Sequence, residues 1–72
     1  MANQVWVVPH QGKWAVRSAG GRVLSLHRTQ AAAATAARRR ARARRSELVV
    51  QGRDGRIRRK DSFGPDPFPP RG

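Results

Sequence analysis

Between residues 29 and 45 nearly every position is alanine or arginine, and a stretch of that kind has one regular conformation open to it. Both residue types are strong helix formers, and no glycine or proline interrupts the run. At 100° per residue, Ala33, Ala34, Ala37 and Ala41 gather on one side, and that side is expected to face a sheet. Arg38, Arg42 and Arg45 fall together on the opposite side with Arg39 beside them. Arg40 and Arg44 flank the alanine stripe, where their stems can cover the edge of a core. Thr29 offers a hydroxyl to the unpaired amides of the first turn, although Ala32 stands where a capping box would place a glutamate. The sequence therefore predicts a helix from Gln30 to about Arg45 with a dense cationic ridge on its outer face.

Such a helix buries little by itself, so the remaining residues have to supply the sheet. The chain has 72 residues, 38% of them hydrophobic, and eleven of these are alanine, which leaves sixteen larger apolar side chains. That is enough for one small domain with a thin core, since chains near this size bury only about 60% of their unfolded surface. Cysteine is absent, which excludes disulfide staples, thiol nucleophiles and zinc–thiolate sites.

Strand formers open the chain. Gln4-Val5-Trp6-Val7-Val8-Pro9 reads as a strand that stops at proline. After His10-Gln11-Gly12, the alternation of Trp14 and Val16 with Lys13, Ala15 and Arg17 predicts a second strand with one buried face. A Gly20-Gly21 turn leads to a shorter third strand over Val23-Leu24-Ser25-Leu26-His27. Beyond the helix, Leu48-Val49-Val50-Gln51 and Arg56-Ile57-Arg58-Arg59-Lys60 flank an Asp54-Gly55 turn and form a predicted hairpin. The expected fold is α+β, a small antiparallel sheet packed on one helix in the order β-β-β-α-β-β over residues 1–62. All but one of the five prolines follow Asp61, so residues 63–72 are expected to be an extended tail, loose or pinned to the domain by Phe63 and Phe68.

Several phrases combine into a recognisable pattern. They are Val7-Val8-Pro9-His10 ahead of Gly12 and Trp14-Ala15-Val16, then Thr29-Gln30-Ala31, Glu47-Leu48-Val49-Val50 and Gly52-Arg53-Asp54-Gly55-Arg56-Ile57. The tail Asp61-Ser62-Phe63-Gly64-Pro65-Asp66-Pro67-Phe68-Pro69-Pro70 completes the set. In this order they resemble the bacterial and phage family catalogued as domain of unknown function 2188. The resemblance implies a small sheet-and-helix fold in bacteria and their phages, and no catalytic residues. The chain departs from the family pattern in its helix, where Ala32, Ala34, Arg39 and Arg40 replace a mixture of acids and a larger aliphatic residue and raise its charge.

Charge points to the class of partner. Lys and Arg total 16 against four Asp and Glu, a formal charge of +12, and six arginines crowd into residues 38–45. Arginine offers phosphate a planar fork of donors and a permanent charge. Like charges three and four apart repel along a helix, so Arg38, Arg42 and Arg45 favour an anionic partner, although a solvated face is the plain alternative. Arg53, Arg56, Arg58 and Lys60 make a second basic set, the last three alternating along one strand face, and would extend a groove; edge-strand charges that block sheet pairing explain them equally well. Trp6 and Trp14 sit on adjacent strands, where aromatic residues stack on bases in single-strand binders. A chain with so few large apolar residues needs both inside, so both are expected in the core.

His10 and His27 lie two strands apart with no acid nearby, and the glycines match no phosphate-loop pattern. The chain is thus expected to be neither an enzyme nor a holder of metal or cofactor. No apolar run approaches the ~20 residues that cross a bilayer, and the N-terminus lacks the pattern of a signal peptide, so a cytoplasmic protein is expected. Two functional readings stand. In the first, Arg38, Arg39, Arg42 and Arg45, helped by Arg53, Arg56, Arg58 and Lys60, bind nucleic acid, with duplex DNA favoured over RNA, largely through phosphates, and place the protein at the nucleoid. In the second, the same ridge holds an acidic protein, or exposed strands pair with a partner or a second copy, since a thin core gains from added burial.

Overall fold

The computed structural model describes residues 4–63, and within them the expected order β-β-β-α-β-β is found. The strands are β1 (Gln4–His10), β2 (Lys13–Ser18), β3 (Val23–His27), β4 (Glu47–Gln51) and β5 (Ile57–Ser62), with α1 spanning Gln30–Arg44. Phe68 and most of the expected tail lie outside the described residues.

One sheet contains all five strands in the spatial order β3-β2-β1-β4-β5. Three of its four pairings are antiparallel, as expected from the hairpins. The central pairing of β1 with β4 is parallel, so the sheet is mixed and not antiparallel throughout. Its cause is the helix: α1 carries the chain back along the sheet, and β4 then starts in the direction of β1. Two turns between hairpin strands share one geometry. In Ser18–Arg22 and in Gly52–Arg56 the first amide bonds the last carbonyl, at 2.9 and 2.8 Å, and Gly21 and Gly55 take φ of +90° and +81°. A three-residue loop closed by a left-handed residue is the standard solution for this connection, and glycine occupies that position without steric cost.

Helix α1 is bounded by side chain at one end and backbone at the other. The Thr29 hydroxyl accepts from the Ala32 amide at 3.1 Å, as the sequence predicts. At the C-terminus the Arg45 amide donates to the Arg42 carbonyl and the Ser46 amide to the Ala41 carbonyl, at 3.3 and 2.8 Å, with Arg45 at φ 54° and ψ 48°. This pair of reversed bonds is the Schellman arrangement, which favours glycine where Arg45 stands.

Ala33, Ala37 and Ala41 are fully buried against Val5 and Val7 of β1, Trp14 and Val16 of β2, and Leu48 and Val50 of β4. Leu24, Ala34 and Phe63 pack partly buried around them, and the Phe63 amide donates to the Ser46 carbonyl at 3.0 Å. Phe63 thus anchors to the domain. Alanine on the helix lets it sit close to the sheet, and the larger strand residues fill the space between. Ala37→Leu would force a larger side chain into this seam, with an expected loss of about 1–3 kcal/mol in a urea or thermal unfolding experiment.

Candidate nucleic-acid interface

The helix presents its arginines to solvent on a curved front. Arg39, Arg40, Arg42, Arg44 and Arg45 are exposed. Arg38 is half-buried at the flank of the helix, because the buried seam is centred on Ala37, one residue before it. Arg45 lies just past the last helical residue, in the left-handed conformation. The outermost positions are therefore Arg39 and Arg42, with Arg38 and Arg45 beside them; the expected grouping of Arg38, Arg42 and Arg45 directly opposite the alanines is corrected to this extent. Arg40 and Arg44 line a depression of about 300 Å³ at the sheet edge with Val5, Leu24 and Ser46, the flanking role read from the sequence.

Among the described residues, no helix arginine takes part in an ion pair. Asp54 is engaged by Arg56 and Arg58, both at 3.8 Å, and Asp61 by Arg59 at 3.3 Å. Glu47 accepts a hydrogen bond from the Gln4 amide nitrogen at 2.9 Å. The ridge from Arg38 to Arg45 is thus a run of cations about 10 Å long without an internal counter-charge.

The hairpin set does not join this ridge into one groove. A β-bulge where β5 passes Val50 and Gln51 pairs Ile57 with Gln51 and Lys60 with Val49, which breaks the expected alternation of Arg56, Arg58 and Lys60 on one face. Lys60 follows Val49 onto the sheet face away from the helix. Arg53 and Arg58 instead meet Trp14, Arg28, Thr29 and Gln30 around a depression of about 500 Å³ at the start of α1. A neighbouring depression of about 420 Å³ adds His10 and Lys13 and shares Arg28 and Arg53. Gln30 ties the helix start to the end of β4 by donating to the Gln51 carbonyl at 2.9 Å. Arg28 enters this basic zone only through the fold, since in the chain it stands alone between a strand and a cap. Arg56 is held in the turn, where its amide bonds the Asp54 carboxylate at 3.1 Å.

The sheet face without a helix holds the other departure from expectation. Trp14 is buried in the core as predicted, but Trp6 projects from the opposite face and is half-buried. Its parity decides this: Val5 and Val7 face the helix, so Trp6 cannot.

No group of His, Cys, Asp and Glu suited to a metal ion occurs among the described residues, and none of their helices is long and apolar enough to cross a membrane. A one-helix, five-stranded α+β domain with a cationic helix face is the class of protein that fold and site define. The family model described as an uncharacterized protein conserved in bacteria, DUF2188, matches residues 5–63, all but the first residue of the sheet and the whole helix, and the chain belongs to that family. The Asp66-Pro67-Phe68 motif of the tail falls beyond the match. No curated protein and no solved structure matches the chain.

An unpaired ridge on a strongly positive chain repels itself, and salt screens that repulsion. The melting temperature is expected to rise by about 2–6 °C between 10 and 300 mM NaCl, measured by circular dichroism. Arg45→Gly relieves a left-handed arginine and removes one ridge charge, so it is expected to stabilise the fold by about 1 kcal/mol in the same experiment.

Proposed function

We propose that this chain is a nucleic-acid-binding protein that holds duplex DNA through phosphate contacts with weak sequence preference. The observation that carries the reading is the ridge of α1: exposed arginines with no carboxylate partner among the described residues, on a chain of +12 charge. Arg39 and Arg42 meet the backbone first, with Arg38 and Arg45 on either side. A guanidinium gives each phosphate oxygen pair two parallel donors, and released counterions supply the driving force. The ridge has few groups suited to reading base edges, so affinity and not sequence choice is its product.

The basic zone of Lys13, Arg28, Arg53 and Arg58 at the start of the helix supports the same reading as a second phosphate contact region. Arg56 and Lys60 contribute long-range attraction from the hairpin. An acidic protein held by the same ridge is the competing reading, and the nature of the bound polyanion separates the two.

The test is fluorescence anisotropy with a random 20-base-pair duplex over a series of salt concentrations. Neutralising about five phosphates gives a slope of log K against log salt near −4.5. Arg39→Ala, Arg42→Ala and Arg45→Ala combined involve only exposed side chains, so folding is expected to survive while the slope shrinks by about 3 and binding at 100 mM salt falls at least about tenfold. A flat salt response, or full binding by the triple variant, overturns the reading. Capture of an acidic polypeptide at salt concentrations that release DNA favours the protein partner.

A further inference from the structure

The strand register fixes which side chains share the face of the sheet that α1 leaves uncovered. One row across it runs Val23, Arg17, Trp6, Val49 and Lys60, from β3 through β2, β1 and β4 to β5. Beyond it, Leu26, Ala15 and Val8 pair across β3, β2 and β1, and Gln51 pairs with Ile57 across β4 and β5. Val8, Ala15 and Val49 are low and buried, whereas Val23, Leu26 and Ile57 are the large apolar residues most exposed, at 43, 48 and 53%. The face has a buried apolar floor, with Trp6 on its central strand, Arg17 one strand away on one side and Lys60 two strands away on the other. Among the described residues its one acid, Glu47, is already engaged by Gln4.

Trp6 is positioned and not merely exposed. Its indole nitrogen donates to the Gln4 side-chain oxygen at 3.3 Å, and the Gln4 amide nitrogen donates on to Glu47 at 2.9 Å. This relay restricts the ring without occupying its π-surface, so little side-chain entropy remains to be lost on binding. Trp6, Val8, Arg17 and Gln51 line a depression of about 280 Å³ that opens onto this face.

We propose that this face is a binding platform for single-stranded nucleic acid, with a base stacked on Trp6 and the backbone held by Arg17 and Lys60. The proposal rests on the reading of the chain as a nucleic-acid binder and assigns it a second surface, opposite the helix, with a different strand preference. Charge complementarity decides the occupant. A second copy laid face to face would bring Arg17 and Lys60 toward their own equivalents on a chain of +12, and among the described residues of the face only the engaged Glu47 would offset them. An unpaired strand brings a partner for both features of the face: flat apolar bases for the indole, and phosphates for the flanking cations. Duplex DNA keeps its bases stacked inside and offers nothing to Trp6.

The experiment titrates a twelve-nucleotide oligothymidylate and a twelve-base-pair duplex separately into the full chain, and reads labelled-oligonucleotide anisotropy together with tryptophan emission. Trp14 is buried, so the emission that Trp6→Phe removes reports on Trp6. The single strand is expected to quench that component and the duplex to leave it unchanged. Trp6→Leu is expected to weaken single-strand binding about tenfold and Trp6→Phe by a factor of about three, with duplex binding unaffected in both. The variant with Arg39, Arg42 and Arg45 replaced by Ala keeps the single-strand quench, so failure of the ridge and failure of the platform are told apart. Unchanged Trp6 emission on saturation with the single strand overturns the proposal whether or not the variants fold. Three other results also overturn it: wild-type single-strand affinity in Trp6→Leu, equal quenching by polyglutamate, or a dimer in sedimentation that shields Trp6 from acrylamide.

Discussion

The contact between three alanines and one sheet face organises the whole molecule. Ala33, Ala37 and Ala41 carry almost no side chain, so the helix can settle onto β1, β2 and β4 while the valines, Leu48 and Trp14 fill the seam. A thin core made this way leaves no large aliphatic residue on the helix, and the positions outside the seam are free for charge. The cost is that burial per residue is low, which makes the Thr29 cap, the closing bonds at Ser46 and the Phe63 anchor matter more than they would in a larger domain.

With one helix among the described residues, the sheet has two unlike sides. Among the described residues, the helix side shows arginines outside any ion pair, and the sheet side that α1 leaves uncovered shows an indole, a buried apolar floor and two flanking cations. A sheet of this kind normally places polar residues on an uncovered face. Here Val8, Ala15 and Val49 stand in its centre, and Val23, Leu26 and Ile57 toward its edges. Under the two proposals above, this asymmetry would give a small chain two chemically separate surfaces for a polyanion, one meeting phosphates alone and one meeting bases as well.

Much of the fold was legible along the chain because its signals are local. Alanine and arginine propensity marked the helix, Thr29 its start, and Gly21 and Gly55 the turns that need a left-handed backbone. The direction of β4 was not legible, since hairpin signals speak only for neighbouring strands and the β1–β4 pairing joins segments more than forty residues apart. For the candidate site, the presence of an arginine ridge was readable from 100° spacing, but its exact centre was not. The seam turned out to be centred one residue before Arg38, which therefore sits at the flank.

The amino-acid sequence by itself determined the elements, the charge and the absence of thiol chemistry, because propensity, capping and composition act within a few residues or need no geometry at all. Only the tertiary structure decided which residues meet. It placed Trp14 inside and Trp6 outside through the parity of two strands, and it separated Lys60 from Arg58 through one extra residue in a bulge. It also brought Arg28 to Arg53 across the molecule. Side chains alternate strictly along a strand, so a single step of register exchanges core for surface, and that step is set by pairing with strands far away in the chain.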